Sequence, residues 1–387
     1  MTSAHTSGSA RSKKLAAVGT ALLLALGAAA CSKTGAAGGG SGSASAAGGS
    51  SSAPAVTLSG DISFNDANLT KLDAAIKTAL QGKDLSKLDE AMVVNVAVDY
   101  WNAGKVGFNK GLSDLGIKGT FQAPANGRLD QQLSIIQTLR GQGISGFSVS
   151  AIDPTAIKAP IASANSSGIP VLAIDSPLPP EDGSALYLGS LNEQLGEKAG
   201  AAMKQVLNNQ GEVVILTGSL TASNSLERIA GFKKALEGSN IKITQTLNDA
   251  TDASKALSNA STSFQTDPNV KGLYGVYSYD GPAAGQAVQS AGKTGAIKVI
   301  ASDSDAQTLK FIQSGVIQAT VLQQPYQQGY TGAFLLAAFK VLGKDATLAL
   351  VKPYLESDGT SLSTGAGVVT QSNIVDYQAM LTKLGIG

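Results

Sequence analysis

The chain has 387 residues, with 29 Lys and Arg against 28 Asp and Glu, one histidine and one cysteine. A formal charge of +1 provides no broad basic field of the kind that holds nucleic acid. One cysteine excludes an intrachain disulfide, and His5 lies in the leader described next, so a Ser-His-Asp triad, a Cys-His pair and the usual His or Cys zinc ligands are excluded downstream of it.

In chain order, Arg11, Lys13 and Lys14 precede an apolar run from 15 to 30 that ends in Ala28-Ala29-Ala30-Cys31, the order of a secretory signal. That run is too short to cross a bilayer comfortably. Loss of residues 1–30 removes three basic residues and no acidic one, leaving a slightly acidic chain. Residues 31–54 are almost entirely Gly, Ser and Ala and read as a flexible tether, with too little apolar area to repay ordering. Within 55–90, Leu69, Leu72, Ile76 and Leu80 fall at helical spacing and predict one short amphipathic helix on the domain surface.

From Met92 onward, short Val- and Ile-rich runs alternate with segments of helical period. Strands are expected at 93–98, 146–149, 171–174, 213–216, 273–276, 299–301 and 319–322, and helices at 133–139, 196–207, 229–236 and 281–291. Such alternation predicts an α/β fold of doubly wound parallel sheets. Almost three hundred residues exceed what one open sheet organises around a single core, so two lobes are expected. No Gly-rich dinucleotide or phosphate loop follows any strand, and no cofactor is expected.

Ligands of open parallel sheets bind beyond the carboxyl ends of the strands. Asp99, Tyr100, Trp101 and Asn102 follow the first run, Ser150 the second, and Asp175 with Ser176 the third. Asn224 and Arg228 open a helix, Tyr279 and Asp280 follow the strand at 273, Asp303 the strand at 299, and Gln323 ends the strand at 319. Carboxylates accept from hydroxyls while Arg228, Asn224 and Gln323 donate to them, a set suited to a sugar or similar polyol. Trp101 is a candidate to cover a sugar ring, with a core position as the alternative. Arg228, at the start of a helix, meets the unfavourable end of the helix dipole unless a ligand or carboxylate offsets it. Asp153 and Asp305 are read as helix caps.

These motifs resemble the type I periplasmic binding proteins of sugar transporters, the group that includes the ribose-binding protein. The resemblance rests on Ile152-Asp153-Pro154 and Ile169-Pro170-Val171 leading to Asp175-Ser176, on Glu227-Arg228 with Gly231-Phe232, on Tyr279-Asp280-Gly281-Pro282, on Asp303, and on Gln323-Gln324-Pro325-Tyr326. It covers about residues 92 to 380. Cys31, just after small residues, is similar to the lipid-modified first residue of a bacterial lipoprotein, with Ala28 where that pattern has leucine; the alternative is ordinary signal cleavage with a free thiol. The resemblance implies an exported, lipid-anchored monomer with two lobes joined by three crossings: 92–190 with 324–351, and 191–323 with 352–387. It implies ligand aspartates at Asp175 and Asp303, an arginine at Arg228 and a glutamine at Gln323, a hinged cleft, and an ABC permease as partner. It departs after the first strand, where Ala103, Gly104 and Lys105 stand in place of an asparagine and two phenylalanines. The alternatives are a sensor presenting its closed form to a membrane signalling receptor, and a glycoside-processing enzyme using Asp175 and Asp303 as acid and base.

Overall fold

The computed structural model describes residues 58–386; the expected leader 1–30, the tether 31–54 and Cys31 lie outside the described residues. The first series of elements is α1 (Asp66–Ala79), β1 (Asp89–Val93), α2 (Tyr100–Leu115), β2 (Lys118–Gln122), α3 (Leu129–Gly141), β3 (Gly146–Val149), α4 (Pro154–Ser166), β4 (Val171–Ile174) and β5 (Tyr187–Gly189). A second series follows: α5 (Asn192–Val206), β6 (Gln210–Thr217), α6 (Ser223–Ala235), β7 (Asn240–Asn248), α7 (Ala253–Thr266), β8 (Val270–Gly275), α8 (Asp280–Ser290), β9 (Lys298–Ser302), α9 (Ala306–Gln313) and β10 (Ala319–Leu322). The chain closes with α10 (Pro325–Leu342), α11 (Lys344–Val351), β11 (Ser361–Ser363), β12 (Gly367–Val369) and α12 (Ile374–Lys383).

The strands form two six-stranded sheets, ordered β11-β5-β4-β3-β1-β2 and β12-β10-β9-β8-β6-β7. All neighbours are parallel except β12, which runs antiparallel to β10. In each sheet the winding reverses beside β1 or β6, and the loops leaving the carboxyl ends there diverge to open a crevice.

The interior strands β3, β4 and β10 are buried on both faces and read as unbroken apolar runs. One face of the first sheet packs Met92 and Leu172 against Leu72, Phe108 and Phe334 of α1, α2 and α10, and the other packs Val93 and Phe147 against Ile136 and Ile157. The second sheet repeats this arrangement, with Ile215 and Ile300 on Leu195 and Phe232, and Val214 and Val299 on Phe264 and Ile312.

The first strand differs from its expected position. It starts at Asp89 and ends at Val93, so 94–98 is a loop rather than strand. Two acidic residues hide its start. Glu90 is 1 % exposed, and neither carboxyl oxygen has a hydrogen-bond partner among the described residues. Burial, with the nearby Asp89 charge, pushes its pKa well up, and a neutral acid is the form such a site tolerates. Helix α1 is the amphipathic surface helix its spacing predicts: Leu69, Leu72 and Ile76 are buried against the first lobe's core, while Asn68, Lys71 and Lys77 are exposed.

Two helix pairs approach backbone to backbone. A Cβ at Gly107 of α2 would stand 2.0 Å from the Tyr326 carbonyl oxygen of α10, and one at Gly231 of α6 would stand 1.9 Å from that of Glu193 in α5. Glycine at these contacts lets the helices sit closer than side chains allow, which locates the helices that carry Tyr100, Trp101 and Arg228.

The chain passes between lobes at 190–191, 323–324 and 364–366. The last return was expected at 352, but β11 pairs with β5 and keeps residues through 363 on the first sheet. A fourth segment lies beside these crossings. Leu58 packs in the second lobe's core, Ile62 and Phe64 pack on the same lobe, and Asp61 and Phe64 make antiparallel bridges to Val368 and Gly365. The chain then enters α1 on the first lobe, where Asp66 accepts from Gln324 Nε2 at 2.7 Å.

Candidate functional site

At the switch point, β1, β4, β6, β8, β9 and β10 direct their following residues toward one cavity between the lobes. From the first lobe it is lined by Asn95, Val96, Val98, Tyr100, Trp101 and Asp175. The second lobe adds Asn224 and Arg228 from α6, the run Tyr277, Ser278 and Tyr279, then Asp303 and Gln323. The cavity holds about 30 Å³, because the polar groups of the two lobes meet directly across it.

Asp175 is the centre of that junction. Its Oδ2 accepts from Ser150 Oγ and Asn224 Nδ2, each at 2.9 Å, and its Oδ1 accepts from Arg228 Nη2 at 3.3 Å and from the Tyr100 hydroxyl at 3.4 Å. Asn224 and Arg228 belong to the second lobe, so this carboxylate is held by donors from both. Its backbone is left-handed, φ 58°, and Asp303 after β9 has φ 66°. Aspartate tolerates that region better than most residues, and such strain persists where surrounding bonds overdetermine it.

Arg228 is 2 % exposed and donates once from each guanidinium nitrogen: Nε to Asn192 Oδ1 at 2.9 Å, Nη1 to the Val276 carbonyl at 3.2 Å, and Nη2 to Asp175. Desolvation lowers its pKa, but Asp175 and Asp303 outweigh this and the net shift is upward. It stands in the second turn of α6, which begins at Ser223, rather than the first turn as expected. Its compensating charge is the Asp175 carboxylate.

Gln323 Nε2 donates to Asp303 Oδ1 at 3.2 Å, while Gln323 Oε1 is buried with no hydrogen-bond partner among the described residues. An unsatisfied buried acceptor lining a cavity is open to a hydrogen-bond donor. Trp101 is buried in the first lobe's core, the alternative weighed for it, and also lines the cavity. Its indole donates to Asn95 Oδ1 at 2.9 Å and it packs edge-on to Tyr100 with ring centroids 4.8 Å apart.

Of the twelve expected ligand residues, the structure brings Tyr100, Trp101, Asp175, Asn224, Arg228, Tyr279, Asp303 and Gln323 to the cavity wall. The other four stand elsewhere. Asp99 is exposed at the start of α2 and accepts from Asn102 Nδ2. Ser150 lies behind Asp175, and Ser176 is buried off the wall. Asp280 turns inward to accept from the Tyr277 amide at 2.9 Å, and burial together with the neighbouring Asp249 pushes its pKa well up. Asn95, Tyr277 and Ser278 were missed. Asn95 fell inside the strand expected at 93–98, whereas a loop starting at 94 exposes it. Asp153 and Asp305 do cap α4 and α9. Among the described residues, no group of three or more His, Cys, Asp or Glu side chains could hold a metal. A larger groove of about 970 Å³ beside the β5 and β11 edge contains none of the expected ligand residues.

Burial pushes Asp303 up to about 7, with Arg228 and the bond from Gln323 opposing the shift and Asp175 adding to it. In the free protein this favours the folded state at low pH: the contribution is full below the ordinary value of 3.8 and is lost as pH rises through about 7. Ligand binding is expected to have the opposite sign. A hydroxyl donating to Asp303 favours the carboxylate, so affinity should climb as pH approaches about 7 and flatten above it, with proton release on binding. Titration calorimetry in buffers of different ionisation enthalpy checks this; no proton exchange on either side of neutrality would show that Asp303 does not accept from the ligand.

Residues 91–345 match the family model described as a periplasmic binding protein domain. The D-allose-binding periplasmic protein of Escherichia coli K12 is 26% identical over 254 residues, covering 63% of this chain and 82% of that protein. The xylitol-binding protein of Mycolicibacterium smegmatis is 27% identical over 270 residues, 67% of this chain and 74% of that one. The crystal structure of an ABC transporter solute-binding protein from Burkholderia graminis, in complex with D-arabinose, superposes with a TM-score of 0.69 at 31% identity, over 76% of this chain and 99% of that chain. These relatives are binding proteins and not enzymes. The family match, two parallel-sheet lobes and a polar cavity at their switch points agree: the chain belongs to the type I periplasmic sugar-binding protein family.

Proposed function

We propose that this chain captures a neutral monosaccharide or related polyol between its lobes outside the cytoplasm and hands it to the permease of an ABC importer. The observation that carries the reading is the junction of Asp175 with Arg228 and Asn224, in which one buried carboxylate draws donors from both lobes. A hydroxyl can donate and accept at once, so vicinal hydroxyls can enter between these groups and keep each of them bonded. The lobes then close on the ligand by hinge motion at the crossings. Asp175 and Arg228 already balance each other, which favours an uncharged ligand. The D-arabinose-bound relative supports a sugar, and the xylitol-binding relative extends the class to polyols. Lipid modification at Cys31, with 31–54 as a tether, would keep the closed form within reach of the permease.

A thermal-shift panel tests the ligand class, using D-arabinose, D-ribose, D-allose, D-xylose and xylitol beside amino acids and nucleosides. A ligand at a hundredfold excess over its Kd stabilises the folded state by about 2.7 kcal/mol, a readily measured rise in Tm. We expect the rise with a sugar or polyol; a rise confined to amino acids or nucleosides would overturn the reading.

A further inference from the structure

Most of the free space in the cleft lies outside the cavity just described. Beyond Asn95 and Tyr277, which form walls of both compartments, is an outer chamber of about 220 Å³ against about 30 Å³ inside. It is bounded by both lobes: Gly127 and Ile152 come from the first, and the run 218–222 with 248 and 250–251 from the second. On its outer side the lobes touch again, where Thr251 Oγ1 donates to the Asn126 carbonyl at 3.2 Å. The chamber is therefore a compartment between the ligand cavity and a rim contact, sharing the side chains of Asn95 and Tyr277 as a common wall with the first.

Its chemistry differs from that of the inner cavity. No Asp, Glu, Lys or Arg lines it. Ile152, Leu220 and Ala222 provide aliphatic surface, while Ser219, Thr221, Asn248 and Thr251 provide hydroxyls and an amide. Leu220 is 46 % exposed, one of three large apolar side chains exposed to that degree or more among the described residues. An uncharged wall with separate aliphatic and hydrogen-bonding parts matches a glycosyl ring, which has an apolar face and a hydroxylated edge.

We propose that the cleft has a second subsite, and that it takes a neutral disaccharide whose first ring parts the Asp175–Arg228 junction at the inner cavity and whose second ring occupies the chamber beyond Asn95 and Tyr277. This rests on the sugar-binding reading above. A single ring leaves the chamber to solvent; a second ring fills it and gains contacts from both lobes, so closure favours the longer ligand.

The test compares each monosaccharide with its disaccharides by calorimetry on the full-length protein: xylose with xylobiose, glucose with cellobiose and maltose, galactose with lactose. We expect at least one disaccharide to bind no more weakly than its monosaccharide. Leu220→Trp, a change at an exposed position that fills the chamber, should weaken that disaccharide at least tenfold more than the monosaccharide. Ile152→Trp, from the opposite lobe, should do the same. Monosaccharide binding with no disaccharide binding would overturn the subsite and leave the sugar reading standing, as would equal losses for both ligands in the two variants. No binding of any sugar would overturn both.

Discussion

Replacing Arg228 by alanine is expected to weaken ligand binding by about 100- to 1000-fold, equivalent to about 3–4 kcal/mol. The guanidinium is buried and supplies three separate bonds, one of them to the opposite lobe's Asp175. Hydrogen bonds to charged groups contribute about 1.5–3 kcal/mol each, and truncation also leaves Asp175 buried without its cation. The remaining two acceptors, Asn192 and the Val276 carbonyl, lie within the second lobe, so water entering the vacated volume can reach them and the fold should persist. Arg228→Lys retains the charge but loses the planar fork, and should fall between wild type and alanine. Calorimetry with the sugar identified by the thermal panel measures the loss, and circular dichroism confirms the fold. Unchanged affinity in a folded Arg228→Ala protein would remove Arg228 from the site.

Asp175→Asn is expected to cost affinity on the same scale, more than about 100-fold, for a complementary reason. Asparagine has nearly the same shape and accepts a left-handed backbone, so φ 58° at this position survives the change. Only the charge and one acceptor oxygen are lost. Four donors converge on the wild-type carboxylate, and an amide places an NH₂ among them in place of an acceptor. Arg228 then faces no full negative charge from the first lobe. Because the junction spans the lobes, the variant should also close less completely, visible as a larger radius of gyration in small-angle scattering with saturating ligand. Wild-type affinity together with a wild-type radius would show that Asp175 is a structural residue of the first lobe.

The residues behind both predictions were legible because they follow strongly apolar strands. Asp175 comes directly after the fully buried β4 and Asp303 after β9, where the end of the Val and Ile run marks the sheet edge. Arg228 stood out as a cation expected at the unfavourable start of a helix, although the structure places it in the second turn. Misplaced residues trace to misplaced ends. Acidic Asp89 and Glu90 hid the start of β1, and extending that strand to 98 concealed Asn95. Asp280 follows a strand as Asp303 does, yet one turns into the lobe and the other into the cleft; sequence order alone carries no sign of that rotation. Edge strands were missed for a different reason. In β7, Ile241 and Ile243 alternate with Lys242 and Thr244, and in β2 Lys118 and Gly119 are exposed and Phe121 stands between Thr120 and Gln122, so neither presents the unbroken apolar run by which the central strands are known. Nor does any local pattern announce that 58–64 pairs some three hundred residues downstream.

That last pairing bears on how the molecule avoids self-association. Strand β12 is the outermost member of the second sheet, with β10 on one side only. Asp61 and Val368 bond reciprocally along its other side, with the Asp61 amide donating to the Val368 carbonyl at 2.8 Å. The leading segment is thus a cover for unpaired backbone amides and carbonyls, the groups by which one protein recruits a strand from another. A shortened chain begun at residue 66 would keep every cleft residue and every sheet strand, yet present β12 bare, inviting a neighbouring copy to complete the row.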